Sequence, residues 1–296
     1  MKNLILIFGC LFMLLLTTSC RKKTINLGKE VSFESEENIS YSKDSEQKMD
    51  LYIPKNSLNS KPDIFIIIHG GGWRGGEKSH LSFFTLSMMQ KFPNHIFANI
   101  DYRLASTSRF AIPNQTDDIN NAMLYLEKTL HYKPKFILLG NSAGGHLSML
   151  YAYKFDRAKK VKAVINIVGP SDLSDPNFKK YTDYSFVEKY LIDPKSLSSN
   201  ISMMNFASPA HWINSTSVPT FSYYGNSDQI IPLSQKKILD SLLNKNKIVN
   251  ESFEFNGGHL DWDKENNASF LMTKIDAFLK KIDQKKPSET NSEGWK

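Results

Sequence analysis

Phe136-Ile137-Leu138-Leu139-Gly140-Asn141-Ser142-Ala143-Gly144 passes from a strand signature into a helix signature through a serine flanked by two glycines. Four consecutive apolar residues read as a strand buried on both faces, and residues 143–155 read as the helix that follows. A chain that turns so sharply at Ser142 holds that serine in a strained backbone conformation. The positions two before and two after it must then be small, and Gly140 and Gly144 meet that need. Outward from this unit, residues 64–68, 95–100, 163–168, 220–224 and 252–255 are further strand candidates, alternating with helical stretches. Residues 117–130 place Ile119, Met123, Leu126 and Leu130 on one helical face, and residues 234–243 do the same with Ile238, Leu239 and Leu242. A last helix over 268–282 turns Phe270, Leu271, Ile275, Phe278 and Leu279 inward. The predicted class is α/β, a mostly parallel central sheet flanked by helices. Residues 172–212 are too long for a simple crossover and mix three prolines with aromatics, so a small cap over the sheet is expected there.

The chain has 296 residues, of which 41% are apolar, enough for one large domain. Its start differs from the rest: Lys2 is followed by an apolar run over 4–16 and then by Thr17-Thr18-Ser19-Cys20. The run is shorter than the ~20 apolar residues of a permanent span, so it reads as an export signal. Cys10 and Cys20 are the only cysteines, so a chain cut before Cys20 has no disulfide. A small residue before a cysteine at the end of a signal resembles the lipobox of bacterial lipoproteins, although Thr17 holds the place where such proteins usually carry Leu. That resemblance implies a signal peptide over 1–19, acylation of Cys20, and an exported protein anchored to a membrane, facing the periplasm or the cell surface. Residues 20–45 would be a polar tether, 46–282 the folded domain and 283–296 a disordered tail. The net charge of +7 comes from scattered clusters such as Arg21-Lys22-Lys23 and Lys236-Lys237, without aromatic interleaving, which argues against a nucleic-acid partner. The first of these clusters is suited to anionic headgroups.

A serine hydroxyl is a poor nucleophile at neutral pH and needs a base held by a carboxylate. A Gly-x-Ser-x-Gly match arises by chance in roughly one such chain in ten, so its context decides. The strand, turn and helix around Ser142 supply that context. Of seven histidines, His146 lies on the helix directly after the elbow, only His211 and His259 come later in the chain, and Gly257-Gly258-His259 comes directly after a strand. His259 is therefore the candidate base. Asp228, in the turn after the strand 220–224, is the candidate acid, with Asp172 and Asp261 as rivals. A second signal is His69-Gly70-Gly71-Gly72-Trp73 after the strand 64–68, three glycines whose backbone N–H groups can face an oxyanion. No Lys-Ser or Lys-Thr pair closes a phosphate loop here.

Taken together, His69 to Trp73, Asp101-Tyr102-Arg103, Gly140 to Gly145, Asp228 and His259 resemble the alpha/beta-hydrolase esterases related to hormone-sensitive lipase. Ile112-Pro113, Gln115, Asp117-Asp118 and Pro232 are closer to their bacterial feruloyl and acetyl-xylan esterase branch. The resemblance covers about 45–282 and implies an alpha/beta-hydrolase fold with Ser142, Asp228 and His259 as a catalytic triad. Gly71, Gly72 and Ala143 would donate to the oxyanion, His69 would brace the glycine loop, and Asp101 and Arg103 would be structural. One departure is Ser106, where the family often has Pro-Glu, which leaves the loop flanking the pocket undefined. The implied activity is hydrolysis of carboxylic esters, small-molecule or oligosaccharide, through an acyl-enzyme, with no metal and no organic cofactor. An amidase or peptidase with the same triad is an alternative, as is a carbohydrate-binding lipoprotein without turnover. Trp73 and Trp212 are candidate substrate contacts, with Tyr181, Tyr184 and Phe186 beside them.

Overall fold

Five strands of this chain consist almost wholly of buried residues, and they form the centre of one sheet. A computed structural model describes residues 22–28, 30–55, 61–197 and 200–284. In chain order its elements are β1 (Lys23–Asn26), β2 (Ser32–Ser40), β3 (Lys48–Pro54), β4 (Ile64–Ile68), α1 (Ser82–Lys91), β5 (Ile96–Ile100), α2 (Asn114–Leu130) and β6 (Phe136–Asn141). There follow α3 (Ala143–Leu150), β7 (Val161–Ile167), α4 (Tyr184–Tyr190), α5 (Met203–Ala207), β8 (Thr220–Gly225), α6 (Ser234–Lys245), β9 (Asn250–Phe255) and α7 (Glu265–Gln284). The sheet order is β1-β2-β3-β5-β4-β6-β7-β8-β9, antiparallel as far as β5 and parallel beyond it.

The pleat sorts the apolar runs into two cores. Ile64, Ile66 and Ile68 of β4 and Phe136 and Leu138 of β6 pack toward α2, α3 and α6. Phe65, Ile67, Ile137 and Leu139 pack on the other side with α1 and α7. A strand covered on both faces must be apolar throughout, which is why these runs show no alternation.

Several expected boundaries move. Helix α2 begins at Asn114, not Asp117, because its first turn is polar for a reason: Gln115 Nε2 donates to the carbonyls of Trp73 and Arg103 at 2.7 and 2.9 Å. After Leu150 the helix widens into a π turn over Tyr151–Phe155, closed by Asp156 N–H on the Tyr151 carbonyl at 2.9 Å. On α6 it is Leu243, with Leu239, that is fully buried, while Leu242 is only partly so. Phe270 on α7 is 41% exposed and does not point inward.

The expected tether over 20–45 is corrected: β1 and β2 extend the sheet from Lys23 onward, with Phe33 fully buried against Phe97 at a centroid distance of 6.1 Å. The expected tail starts later than 283, since α7 runs to Gln284 and Asp283 pairs with Lys162 at 2.7 Å. The expected signal and Cys20 lie outside the described residues, as do 285–296. No helix among the described residues is long and apolar enough to cross a membrane. The segment expected to be a cap is a run of short helices, α4 and α5 among them, and it contributes Tyr181 and Asp183 to the cleft described next.

Candidate active site

Ser142 sits between β6 and α3 at φ 53° and ψ −121°, a conformation an L-residue adopts only under tertiary constraint. Its N–H donates to the Ile167 carbonyl at 2.8 Å, and its own carbonyl accepts the His146 N–H at 3.0 Å. The flanking glycines are required sterically. A β-carbon on Gly140 would overlap the Gly144 carbonyl, and one on Gly144 would overlap the Ile68 carbonyl oxygen. Helix α3 thus lies hard against the end of β4, with the amide of Ala143 in its first turn, where N–H groups lack intrahelical acceptors.

The other two expected members arrive on loops from neighbouring strands. Asp228 follows β8, and its side chain is fully buried. Its Oδ1 accepts the N–H groups of Ile230 and Ile231 at 2.8 and 2.9 Å, which leaves Oδ2 to face His259 Nδ1 at 2.8 Å. His259 follows β9, and its Nε2 lies 3.0 Å from Ser142 Oγ. The two loops are laced together: Ser227 N–H donates to the Gly257 carbonyl at 3.0 Å, and Gly257 N–H to Asn226 Oδ1 at 3.2 Å. Asp261, the rival acid, accepts the Gly258 N–H at 2.8 Å and so shapes the histidine loop. Asp172, the other rival, accepts from Ser174 Oγ at 2.6 Å, and His211 is exposed on a separate surface.

The glycine loop is pinned beside the serine. Gly70 N–H donates to Asn141 Oδ1 at 2.9 Å, a bond from loop to elbow that the sequence did not flag. Gly71 has φ +118° and Gly72 φ +59°, and no acceptor among the described residues takes either amide. His69 stacks on Tyr102 at a centroid distance of 4.3 Å, its Nδ1 donates to the Gly70 carbonyl at 2.6 Å, and the Tyr102 hydroxyl donates to the His69 carbonyl at 2.8 Å. Burial pushes His69 down to about 4, so the ring that braces the loop is neutral at pH 7. Asp101 accepts the Lys78 N–H at 2.6 Å, and Arg103 grips the fully buried Asp118 at 2.6 Å, so both hold the scaffold.

A cleft of about 750 Å³ opens over Ser142, with Gly71, Gly72 and His259 in its lining. One wall, from the cap and glycine loop, carries Tyr181, Asp183 and Arg74, whose guanidinium pairs with Asp183 at 2.6 Å and lies 4.8 Å from the centre of the Phe186 ring. The lining also includes His80, Leu81, Leu260, Trp262 and Asp263. Beyond the triad and the glycine loop, Tyr181 is the one of these lining residues that the sequence points to, because the others come from separate loops and share no spacing. Two expected substrate contacts are corrected. Trp73 is only 2% exposed, and its indole N–H donates to His146 Nδ1 at 3.1 Å, so it faces the core. Trp212 lies outside the cleft lining, its N–H on the Phe206 carbonyl at 2.9 Å and its ring covered by Lys154. The loop at Ser106 also stays clear of the cleft, folded back by Arg109, which pairs with Glu46 at 2.5 Å.

A mostly parallel sheet with a serine at the β6–α3 elbow, a histidine after the last strand and an aspartate after the one before defines the alpha/beta-hydrolase class. Solved structures share this fold: a truncated carbohydrate esterase from gut microbiota aligns at a TM-score of 0.69 and 18% identity, over 84% of this chain and 96% of its own. The BD-FAE family profile matches residues 49–243, and the chain belongs to that family. The probable carboxylic ester hydrolase LipM of Mycobacterium tuberculosis is 23% identical over 246 residues, covering 77% of this chain and 56% of LipM. Esterase LipQ of the same organism is 24% identical over 204 residues, covering 64% of this chain and 48% of LipQ. The chain thus spans about half the length of the curated relatives it matches.

Proposed function

We propose that the protein is a serine carboxylesterase acting on acyl esters of plant polysaccharides. The observation that carries this reading is the unbroken series Ser142 Oγ, His259 Nε2, His259 Nδ1 and Asp228 Oδ2, with contacts of 3.0 and 2.8 Å, opening into the cleft. With its Nδ1 proton held by Asp228, the neutral imidazole turns a lone pair toward the serine. Nε2 takes the Oγ proton as Oγ attacks the ester carbonyl carbon. The resulting oxyanion faces the amides of Gly71, Gly72 and Ala143, each such donor being worth about 3 kcal/mol in the transition state. Collapse expels the alcohol, which leaves with the proton from Nε2. Water then attacks by the same route, giving up a proton to His259, which returns it to Ser142 Oγ as the acid departs.

The substrate class is supported by family membership, by the carbohydrate esterase among the structural neighbours, and by cleft walls that mix aromatic faces with Arg74, Asp183 and Asp263. Hydroxyl-rich ligands use both kinds of group. Hydrolysis of acetylated and feruloylated xylan fragments, beside short and long simple esters, tests it. Preference for a simple long-chain ester over every glycan ester would overturn the substrate class, and Ser142→Ala with turnover near wild type would overturn the mechanism.

The same proposal takes the protein to be a lipoprotein acylated at Cys20, supported by the apolar run and the small residue before that cysteine. Palmitate labelling and membrane sedimentation that persist in Cys20→Ala would count against it.

A further inference from the structure

His146 is fully buried one turn along α3 from Ser142, and both of its ring nitrogens are bonded. Indole N–H only donates, so Nδ1 must accept from Trp73 at 3.1 Å, and the ring proton resides on Nε2, which donates to the Ala207 carbonyl at 2.8 Å. Burial holds this histidine down to about 4, so the neutral tautomer persists at working pH. The ring therefore joins three pieces of chain: the glycine loop through Trp73, the nucleophile helix through its own backbone, and the cap through α5. Trp73 is fixed at its other end as well. Its carbonyl accepts Ala105 N–H at 2.9 Å and Gln115 Nε2 at 2.7 Å, and its backbone is held at φ +64°. A non-glycine residue in that conformation persists only where its surroundings over-determine it. Trp73 directly follows Gly71 and Gly72, so its placement sets where their amides point.

We infer that Trp73 and His146 form a positioning pair, which holds the glycine loop in register with the Ser142 elbow without either side chain touching substrate. This rests on the esterase reading above. The pair acts when charge develops on the substrate oxygen, because donors displaced by a fraction of an ångström lose most of their effect in the transition state and little in ground-state binding.

The test is steady-state ester hydrolysis by the full chain, with kcat expressed per site titrated by a fluorophosphonate, and with unfolding followed in parallel. Trp73→Phe removes the N–H donor together with part of the buried ring volume. His146→Gln keeps a donor near the Nε2 position, while His146→Asn keeps an acceptor near Nδ1 and loses the bond to Ala207. Trp73→Phe and His146→Gln should each lower kcat about tenfold with KM within about twofold. Their double variant should fall no further, and His146→Asn should recover most of kcat. A purely packing role would lower the unfolding temperature and leave kcat per titrated site unchanged, which overturns the proposal, as would additive losses in the double variant. Should Trp73→Phe fail to fold, the contrast between His146→Gln and His146→Asn decides: equal kcat values overturn the pair. A wild-type chain that neither labels nor hydrolyses any ester removes the esterase reading and this inference together. An active wild type with unaffected variants removes the inference alone.

Discussion

Asp228→Asn should nearly abolish turnover while leaving the fold intact, and the structure says why the two effects separate. Oδ1 of Asp228 accepts two backbone N–H groups, those of Ile230 and Ile231, at 2.8 and 2.9 Å. An asparagine oxygen satisfies both, so the amide nitrogen is forced into the place of Oδ2, facing His259 Nδ1. Two donors cannot share that bond. The imidazole must then accept at Nδ1 and carry its proton on Nε2, which lies 3.0 Å from Ser142 Oγ, leaving no lone pair for the serine proton. The wrong tautomer costs about 10⁴ in kcat, or about 5.5 kcal/mol on the barrier. Stability should fall little, because both backbone bonds remain. Asp228→Ala differs: it strands the buried Ile231 N–H at about 1–3 kcal/mol, and the part-buried Ile230 N–H at less, and should lower the melting temperature by several degrees. Hydrolysis of p-nitrophenyl acetate at pH 7.5, with a thermal melt for each variant, measures both quantities. An Asp228→Asn enzyme retaining a tenth or more of wild-type kcat would refute the reasoning and return Asp261 and Asp172 to consideration.

Burial holds His69 and His146 to about 4 against an ordinary value of 6.5. Between pH 4 and 6.5 the unfolded chain therefore binds more protons, and stability should fall as pH drops through that window, with nearly one proton per ring taken up on unfolding at pH 5. Denaturant midpoints across that range check this, and a midpoint that is flat or rises on acidification contradicts it. Gly144→Ala should abolish both turnover and fluorophosphonate labelling, because its methyl group overlaps the Ile68 carbonyl and α3 must lift off β4; normal labelling would show that the elbow tolerates the shift. Arg103→Leu leaves the fully buried Asp118 without its guanidinium and should destabilise by the lower end of about 3–5 kcal/mol, since the Arg103 side chain is itself 21% exposed. Its kcat per titrated site should stay within about twofold of wild type, as expected of a scaffold residue away from the chemistry.

What could be read in the sequence was what burial or chemistry writes locally. The runs in β4 and β6 are legible because both faces of the sheet are covered, and the Ser142 elbow because sterics exclude any residue but glycine on either side of it. Helix α1 gave no signal: its apolar residues fall on every side, Phe83 being 83% exposed while Phe84, Met88 and Met89 are buried. The direction of Trp73 was illegible for a different reason. Beside three glycines an indole reads equally well as a platform for ligand or as a brace, and only the distant partners His146 and Gln115 decide. Arg74 and Asp183 form one wall across 109 positions of sequence, a pairing no local pattern encodes.

The strands β1 and β2 were missed because they are short on apolar residues at one end of the sheet, β1 as its edge and β2 paired between β1 and β3, and their position changes what a lipid anchor at Cys20 would do. β2 carries Glu34, Glu36 and Glu37 and changes register between Glu36 and Ile39, so it shows neither a clean alternation nor an apolar run. A strand paired on both sides through its backbone can still be polar and bulged where its side chains meet solvent, which is why polarity there reads as a flexible segment. With β1 starting at Lys23, a chain acylated at Cys20 has only the step from 20 to 23 between lipid and sheet, about 10 Å at full extension. That is no longer a tether of 26 residues on which the domain roams. It would hold the β1 edge at the headgroups, where Arg21, Lys22 and Lys23 meet anionic lipid within a Debye length. The active-site loops rise from the ends of β4 and β6, at the centre of the sheet order, and of β8 and β9, at the end away from β1. An enzyme anchored by its β1 edge would therefore hold the Ser142 elbow, five strands along the sheet, about 24 Å from that edge.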